Sequence, residues 1–154
     1  QRAEGQQLLR ELREHYPGAT LTARVSIPVA EAADALQRGD APAALELLEQ
    51  VKPYDRASRS ALWPEYLRGE AFVRNRQPQE AIAEYTRLLA HRGEDPTGSV
   101  YPLARLGLAR AYAAAGDTGN ARQAYEAFLA AWSQADETLA PVADARRELA
   151  RLGR

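Results

Sequence analysis

The chain has 154 residues, 45% of them hydrophobic and 27% charged, with a formal net charge of −1. That length and apolar content suit a folded domain with a sizeable core and exclude a disordered chain. The charge balance argues against a general nucleic-acid or anionic-membrane surface, and the absence of Cys removes disulfides, thiolate zinc, iron–sulfur clusters and cysteine nucleophiles. Alanine is the commonest residue at 32, and Lys52 is the sole lysine. The chain opens at Gln1 and contains no Met, from which a processed chain or an excised piece of a longer one is expected.

In chain order, the first predicted helix carries Leu8, Leu9 and Leu12 and is closed by Pro17-Gly18. A second runs over Ile27–Arg38. Pro28 leaves its start open, either at Leu21 with a kink at the proline or only at Ser26. Gly39-Asp40 separates it from a helix over Ala41–Val51, with Pro42 in a first turn that tolerates it. After a longer connection over Lys52–Ser60, Pro64 opens a helix to about Arg76 and Pro78 opens the next. Following Arg92–Ser99, Pro102 opens a helix to near Ala115, and Gly116-Asp117 leads into Gly119–Ala131. Pro141 opens a last helix to about Leu152. The apolar spacing supports this reading: Ile82, Tyr85, Leu88 and Leu89 form one amphipathic stripe, and Ala121, Ala124, Tyr125, Phe128, Leu129 and Trp132 form another. β-Branched alternation is absent apart from the short Leu21–Pro28. The predicted class is all-α, with about eight helices, mostly in pairs. No apolar run reaches the ~18 residues of a membrane span, and no start resembles a signal peptide.

The pairs repeat. An alanine early in the second helix of each is followed four and seven positions later by bulky residues: Ala44, Leu48 and Val51; Ala81, Tyr85 and Leu88; Ala121, Tyr125 and Phe128. Nine positions before each alanine, on the first helix, stand Ala35, Phe72 and Tyr112. Three further back are the small residues Ala32, Gly69 and Ala109. Helices that cross closely need a small residue on one to admit a bulky one from the other. A bulky replacement at Ala44, Ala81, Ala109 or Ala121 is therefore expected to overpack.

At these residues the chain resembles the tetratricopeptide repeat, whose pattern is W-x2-L-G-x2-Y…A-x3-F…P over 34 residues. Leu108-Ala109, Tyr112, Gly116-Asp117, Ala121 and Tyr125 carry the third repeat; Gly69, Phe72, Ala81 and Tyr85 carry the second; Ala32, Ala35, Ala44 and Leu48 are a degenerate first. The pattern's tryptophan falls on Pro28, Glu65 and Arg105, and its proline on Arg56, Gly93 and Ser133, so the chain departs from it there. The resemblance implies a right-handed superhelix of helical hairpins. Its repeats are expected at 20–55, 60–95 and 100–135, with 1–18 as the second helix of a truncated repeat and 138–154 as a capping helix. More narrowly, Tyr66-Leu67-Arg68-Gly69-Glu70-Ala71-Phe72, Leu89-Ala90-His91-Arg92-Gly93 and Ala109-Arg110-Ala111-Tyr112-Ala113 resemble the C-terminal repeats of large bacterial serine/threonine kinases and winged-helix regulators, over roughly residues 20–152. That likeness implies the regulatory arm of a larger signalling protein, in the cytoplasm, or outside it where such repeats follow a membrane segment.

Catalysis finds no anchor, and the chain reads as a non-enzyme needing no cofactor or metal. His15 and His91 are 76 positions apart, each at a helix end, where an imidazole caps more readily than it binds metal. Glu94 and Asp95 beside His91 read as a solvated loop. Ser58 and Ser60 have no nearby histidine base, Ser26, Ser99 and Ser133 read as caps or turns, and no phosphate-loop, GxSxG or HExxH motif occurs. What remains is surface. In such a solenoid the first helices line the concave face, on which a peptide or protein segment docks. The register puts Ser26, Val29, Ala33 and Leu36 there, then Trp63, Tyr66, Glu70, Val73 and Arg74, then Leu103, Leu106, Arg110, Ala113 and Ala114. The candidate contact residues are Trp63, Tyr66, Glu70, Arg74, Leu103, Leu106 and Arg110, and Trp63, Tyr66, Arg74 and Arg110 are the sharpest, because aromatic and arginine side chains dominate binding hot spots. The plainer alternative is that Trp63 and Tyr66 pack on a neighbouring helix or on Lys52–Ser60. The lysine/asparagine carboxylate clamp of some family members does not carry over, since its lysine positions hold none and arginine would have to substitute. A second functional reading is self-association, with Gly5–Tyr16 docking on another copy or on the parent protein. No nucleic-acid partner and no membrane insertion are expected.

Overall fold

The computed structural model describes residues 2–57, 61–91, 93–94 and 98–152; Ser58, Ser60 and Asp95 lie outside them. It contains α1 (Arg2–His15), α2 (Ile27–Gln37), α3 (Ala41–Glu49), α4 (Trp63–Arg74), α5 (Pro78–Ala90), α6 (Val100–Ala114), α7 (Thr118–Ala131) and α8 (Ala140–Arg151), with a 3-10 turn at Lys52–Tyr54. Among the described residues there is no strand. The fold is an all-α helical repeat of the tetratricopeptide type. Helices pair as α2 with α3, α4 with α5 and α6 with α7, and each second helix also packs on the next first helix. The first helices α2, α4 and α6 touch in sequence, and α6 touches α8, while the second helices do not pack on one another to a similar extent. First helices therefore form the inner layer, which is the geometry that makes their exposed side the concave one.

The two starts left open before Pro28 resolve in favour of the longer helix. Helical backbone runs from Thr20, and a π-helical turn over Thr22–Ser26 leads straight into α2. Ile27 donates its N–H to the Thr22 carbonyl, five residues back. Proline has no N–H to give and its ring crowds the carbonyl four residues earlier, and the wider turn absorbs that mismatch without ending the helix. Ser26 and Ser99 precede helices, yet neither hydroxyl caps one.

The three hairpin turns close alike. Asp40 N–H donates to the Ala35 carbonyl and Gly39 to Leu36; Gln77 donates to Phe72 and Arg76 to Val73; Asp117 donates to Tyr112 and Gly116 to Ala113. Each is a Schellman closure, whose penultimate residue sits in the left-handed region. Gly39 (φ 81°) and Gly116 (φ 77°) suit it, whereas the middle hairpin uses Arg76 at φ 58°. The Asp40 and Asp117 carboxylates then cap α3 and α7 through Ala43 and Asn120 N–H; Gln77 offers α5 no such cap.

The core follows the repeat register. Ala44, Leu48, Val51, Ala81, Tyr85, Leu88, Ala121, Tyr125 and Phe128 are all buried, as are Ala32, Ala35 and Ala109 on the first helices. Tyr85 is held in a notch: a Cβ on Gly69 of α4 would lie 2.5 Å from its ring, and one on Gly107 of α6 would also fall within 3.0 Å. One ring from α5 is thus keyed into the backbones of both neighbouring first helices. Only the α4 half of that notch lies in the repeat pattern.

Where the tetratricopeptide pattern carries a buried tryptophan, α4 carries Glu65, only 1% exposed. Its Oε1 lies 3.5 Å from Arg87 Nε and 4.0 Å from Arg56 Nη2, and its Oε2 accepts no hydrogen bond from the described residues. One turn on, the equally buried Arg68 donates to both Asp55 oxygens, to Glu84 Oε1 at 3.3 Å and to the Leu48 carbonyl at 3.4 Å. Arg87 pairs with Glu84, and Arg56 with Glu94. Burial opposes the Arg68 charge, but its hydrogen bonds and the Glu84 and Asp55 carboxylates outweigh that and keep it above its ordinary value. A charged network accordingly ties the 3-10 turn segment to the second hairpin, its charges paired with one another as interior ions must be, although Glu65 Oε2 accepts no hydrogen bond from the described residues.

Candidate functional site

The inner face has two halves. One is apolar: a groove of about 390 Å³ between α2 and α4, lined by Val25, Ser26, Val29, Ala30, Ala33, Trp63 and Leu67. Trp63 is 38% exposed at its rim, the most accessible aromatic of the inner face. Its indole meets the Tyr66 ring edge to face, centroids 5.7 Å apart at 87°. Tyr66 in turn leans on Tyr85 at 6.1 Å. The alternatives weighed for the two rings therefore divide. Tyr66 packs inward on the second hairpin's core, while Trp63 stays open.

The other half is polar and engaged with itself. Tyr85 donates its hydroxyl to Glu70 Oε1 at 2.9 Å; Arg74 approaches Glu70 Oε2 at 3.5 Å and donates to the Leu36 carbonyl of α2 at 2.6 Å. On α6, Arg110 grips Glu148 of α8 with two bonds of 2.9 Å, and Tyr125 donates to the same carboxylate at 2.9 Å. Burial first, then the Glu70 charge, raises the Tyr66 and Tyr85 hydroxyls well above their ordinary value. Arg110 and Arg74 oppose this at Tyr66. Burial weakens the Arg110 charge, but its bonds to Glu148 more than restore it. Arg110 therefore stays charged, and both tyrosines stay neutral at neutral pH.

Of the seven predicted residues, Tyr66, Glu70, Arg74 and Arg110 share this one electrostatic neighbourhood, with Trp63 at its edge. Leu103 is half-buried on α6. Leu106 requires a correction: at 2% exposure it lies in the core with Tyr125, Phe128, Val142 and Ala145, because α8 covers it. Leu36, 4% exposed, is likewise core, its carbonyl serving Arg74. Arginine as a substitute carboxylate clamp also meets a difficulty, since both guanidiniums already hold partners within the chain. Sequence reasoning missed Glu148, which is distant along the chain from Arg110, and the groove residues Val25, Ala30 and Leu67, whose apolar helix positions give no sign of lining a groove; Val25 itself is buried. The histidines cap, as their positions suggest: His15 and His91 each donate from Nδ1 to the carbonyl four residues back. Among the described residues no cluster of three metal-ligating side chains occurs, and no helix is long and apolar enough to cross a membrane.

Stacked helical hairpins with an inner groove define the class, an all-α helical repeat. More particularly, residues 66–136, a little under half of the chain, match the family model described as tetratricopeptide repeat. No curated protein matches the chain. No solved structure matches it either.

Proposed function

We propose that this chain is a non-catalytic protein-interaction module whose inner face takes a peptide or protein segment, with an apolar side chain of that segment seated in the α2–α4 groove against Trp63. The observation that carries this reading is the exposed Trp63 ring at the mouth of an apolar groove built from first helices. A large aromatic left open beside apolar walls is the usual anchor of an interface. The self-paired Arg74 and Arg110 favour an apolar anchor over a ligand carboxylate, which would have to displace Glu70 or Glu148. The tetratricopeptide match supports a binding role, since such repeats serve protein contacts. In this reading residues 20–55, 60–95 and 100–135 are the repeats, 1–18 is a further second helix and 138–154 is the cap. That the module is the regulatory arm of a larger bacterial signalling protein rests on the sequence resemblance alone.

A displayed random-peptide library selected on the chain tests the groove. Enriched peptides should share an apolar anchor, and Trp63→Ala should weaken them about 10-fold or more, a loss of at least ~1.4 kcal/mol. No enrichment, or enriched peptides indifferent to Trp63→Ala, would remove the groove from consideration.

A further inference from the structure

We propose that a pocket between α5, α6 and α7 binds a small free carboxylic acid with an aromatic or branched apolar body, its carboxylate held by Arg105. The pocket holds about 330 Å³, and its lining includes Leu89 of α5, Tyr101, Pro102 and Arg105 of α6, and Ala131 and Trp132 at the end of α7. It shares no residue with the Trp63 groove. In the register that takes Ala81 to Ala121, Arg105 stands where Glu65 stands one hairpin earlier. There the chain supplies its own counter-charges: Arg87 and Arg56 lie within ion-pair reach of Glu65, and Glu84 and Asp55 hold the neighbouring Arg68. In the third hairpin the same register puts Leu108 in place of Arg68, Ala124 in place of Glu84 and Ala127 in place of Arg87. Small and apolar side chains thus replace the network, while position 105 keeps a charge, now of opposite sign. Arg105 is half-buried, and among the described residues no carboxylate or carbonyl pairs with it. A cation drawn partly out of water without a counter-ion is costly, so the position suits an anion brought from outside.

The lining narrows the choice of anion. Leu89, Pro102 and Trp132, the last stacked on Phe128 at 5.8 Å, make apolar walls for a ring or a branched chain. The volume lies at the lower end of the range for small-molecule sites. No carboxylate lines the pocket, so the ammonium group of a free amino acid would go unpaired there. The Tyr101 hydroxyl is engaged, donating to the His91 carbonyl. The side-chain groups left to a ligand are therefore donors, the Arg105 guanidinium and the Trp132 indole N–H, which suit a carboxylate. A peptide's last residue would bring an amide N–H with no free acceptor side chain to meet it, which favours a free acid. The first turn of α6, to which Tyr101 and Pro102 belong, has no side-chain cap, so its partial positive charge adds to that of Arg105.

Nitrogen-15 NMR of the 154-residue chain tests this, because its two tryptophans give two indole N–H signals, assigned with Trp63→Phe. Phenylpropanoate should shift the Trp132 signal and leave that of Trp63 in place, saturating with a Kd of about 1 mM or below. Arg105→Gln, and Ala131→Phe filling the pocket from an exposed position, should each weaken that binding about 10-fold or more, with unchanged circular dichroism melts. Phenylpropanol, which lacks the charge, and phenylalanine, which adds an ammonium group, should bind more weakly by about the same factor. No shift at Trp132 up to about 10 mM phenylpropanoate overturns the proposal. A shift that Arg105→Gln leaves unchanged, or one confined to Trp63, overturns it too. N-acetylphenylalanine binding about 10-fold tighter than phenylpropanoate would make a peptide terminus the occupant and overturn the free acid. Peptide selection on the Trp63 groove reads out independently of every one of these results.

Discussion

Filling the glycine notch around Tyr85 is the most direct challenge to this packing. Gly69→Ala places a methyl 2.5 Å from the ring, a distance that real Cβ contacts do not show. Overpacking of this kind costs about 1–3 kcal/mol. Alanine returns roughly 0.5–1 kcal/mol over glycine within a helix, so the net loss is about 0–2.5 kcal/mol. Gly107→Ala should behave likewise, because its Cβ meets the same ring. Tyr85→Leu removes the obstacle, at its own cost of about 2–4 kcal/mol in packing and in the Glu70 hydrogen bond. In that background Gly69→Ala should become neutral or stabilising, since only the helix-propensity gain is left. Urea unfolding followed by far-ultraviolet circular dichroism, with the slope held in common, reads the cycle. A coupling of about 1 kcal/mol or more between positions 69 and 85 is expected. If Gly69→Ala stabilises the otherwise unchanged chain, the ring does not fill the notch and the reasoning fails.

Two further variants probe the middle hairpin. Arg76→Gly with Gln77→Asp copies the Gly-Asp turn of its neighbours. Relief of the left-handed residue and a new cap should together stabilise the chain by about 1 kcal/mol after allowing for glycine's entropy; an unchanged urea midpoint would show that the Arg76 turn carries no penalty. The second concerns Glu65, whose carboxyl is raised above its ordinary 4.5 by burial and then by Asp55, with Arg56, Arg68 and Arg87 opposing. A raised folded value favours the neutral form. Its contribution is therefore full below pH 4.5 and lost as pH rises through the folded value. Glu65→Gln, neutral throughout, should gain on the native chain as pH goes from about 4 to about 7. A stability difference that is flat across that range would count against the buried carboxylate.

Much of the architecture could be read from spacing because the repeat constrains it locally. Ala44, Ala81 and Ala121 are small for one reason at three places, and the residues four and seven positions on follow from helix periodicity. What escaped reading depends on contacts between segments distant in sequence. Leu106 occupies an inner-face position of its own helix, and only the arrival of α8 turns it into core. Arg110 stands where a ligand-binding arginine would, yet Glu148 claims it. Gly107 lies outside the repeat pattern, so its role in receiving Tyr85 has no local signature. Glu65 and Arg68 look like solvated residues of a helix with charges on every side, until Asp55 and Glu84 are placed around them. The candidate site divides in the same way. Trp63 was legible as an exposed aromatic on the inner helix, whereas the walls of its groove were not, because plain Val, Ala and Leu serve cores and grooves alike.

The ring of Tyr85, lodged in two helix backbones at once, also has a mechanical meaning. α4 and α6 cannot slide along each other without dragging α5, so the joint between the second and third hairpins resists shear as a dovetail does. A guest on the inner face would meet a fixed curvature beyond Trp63.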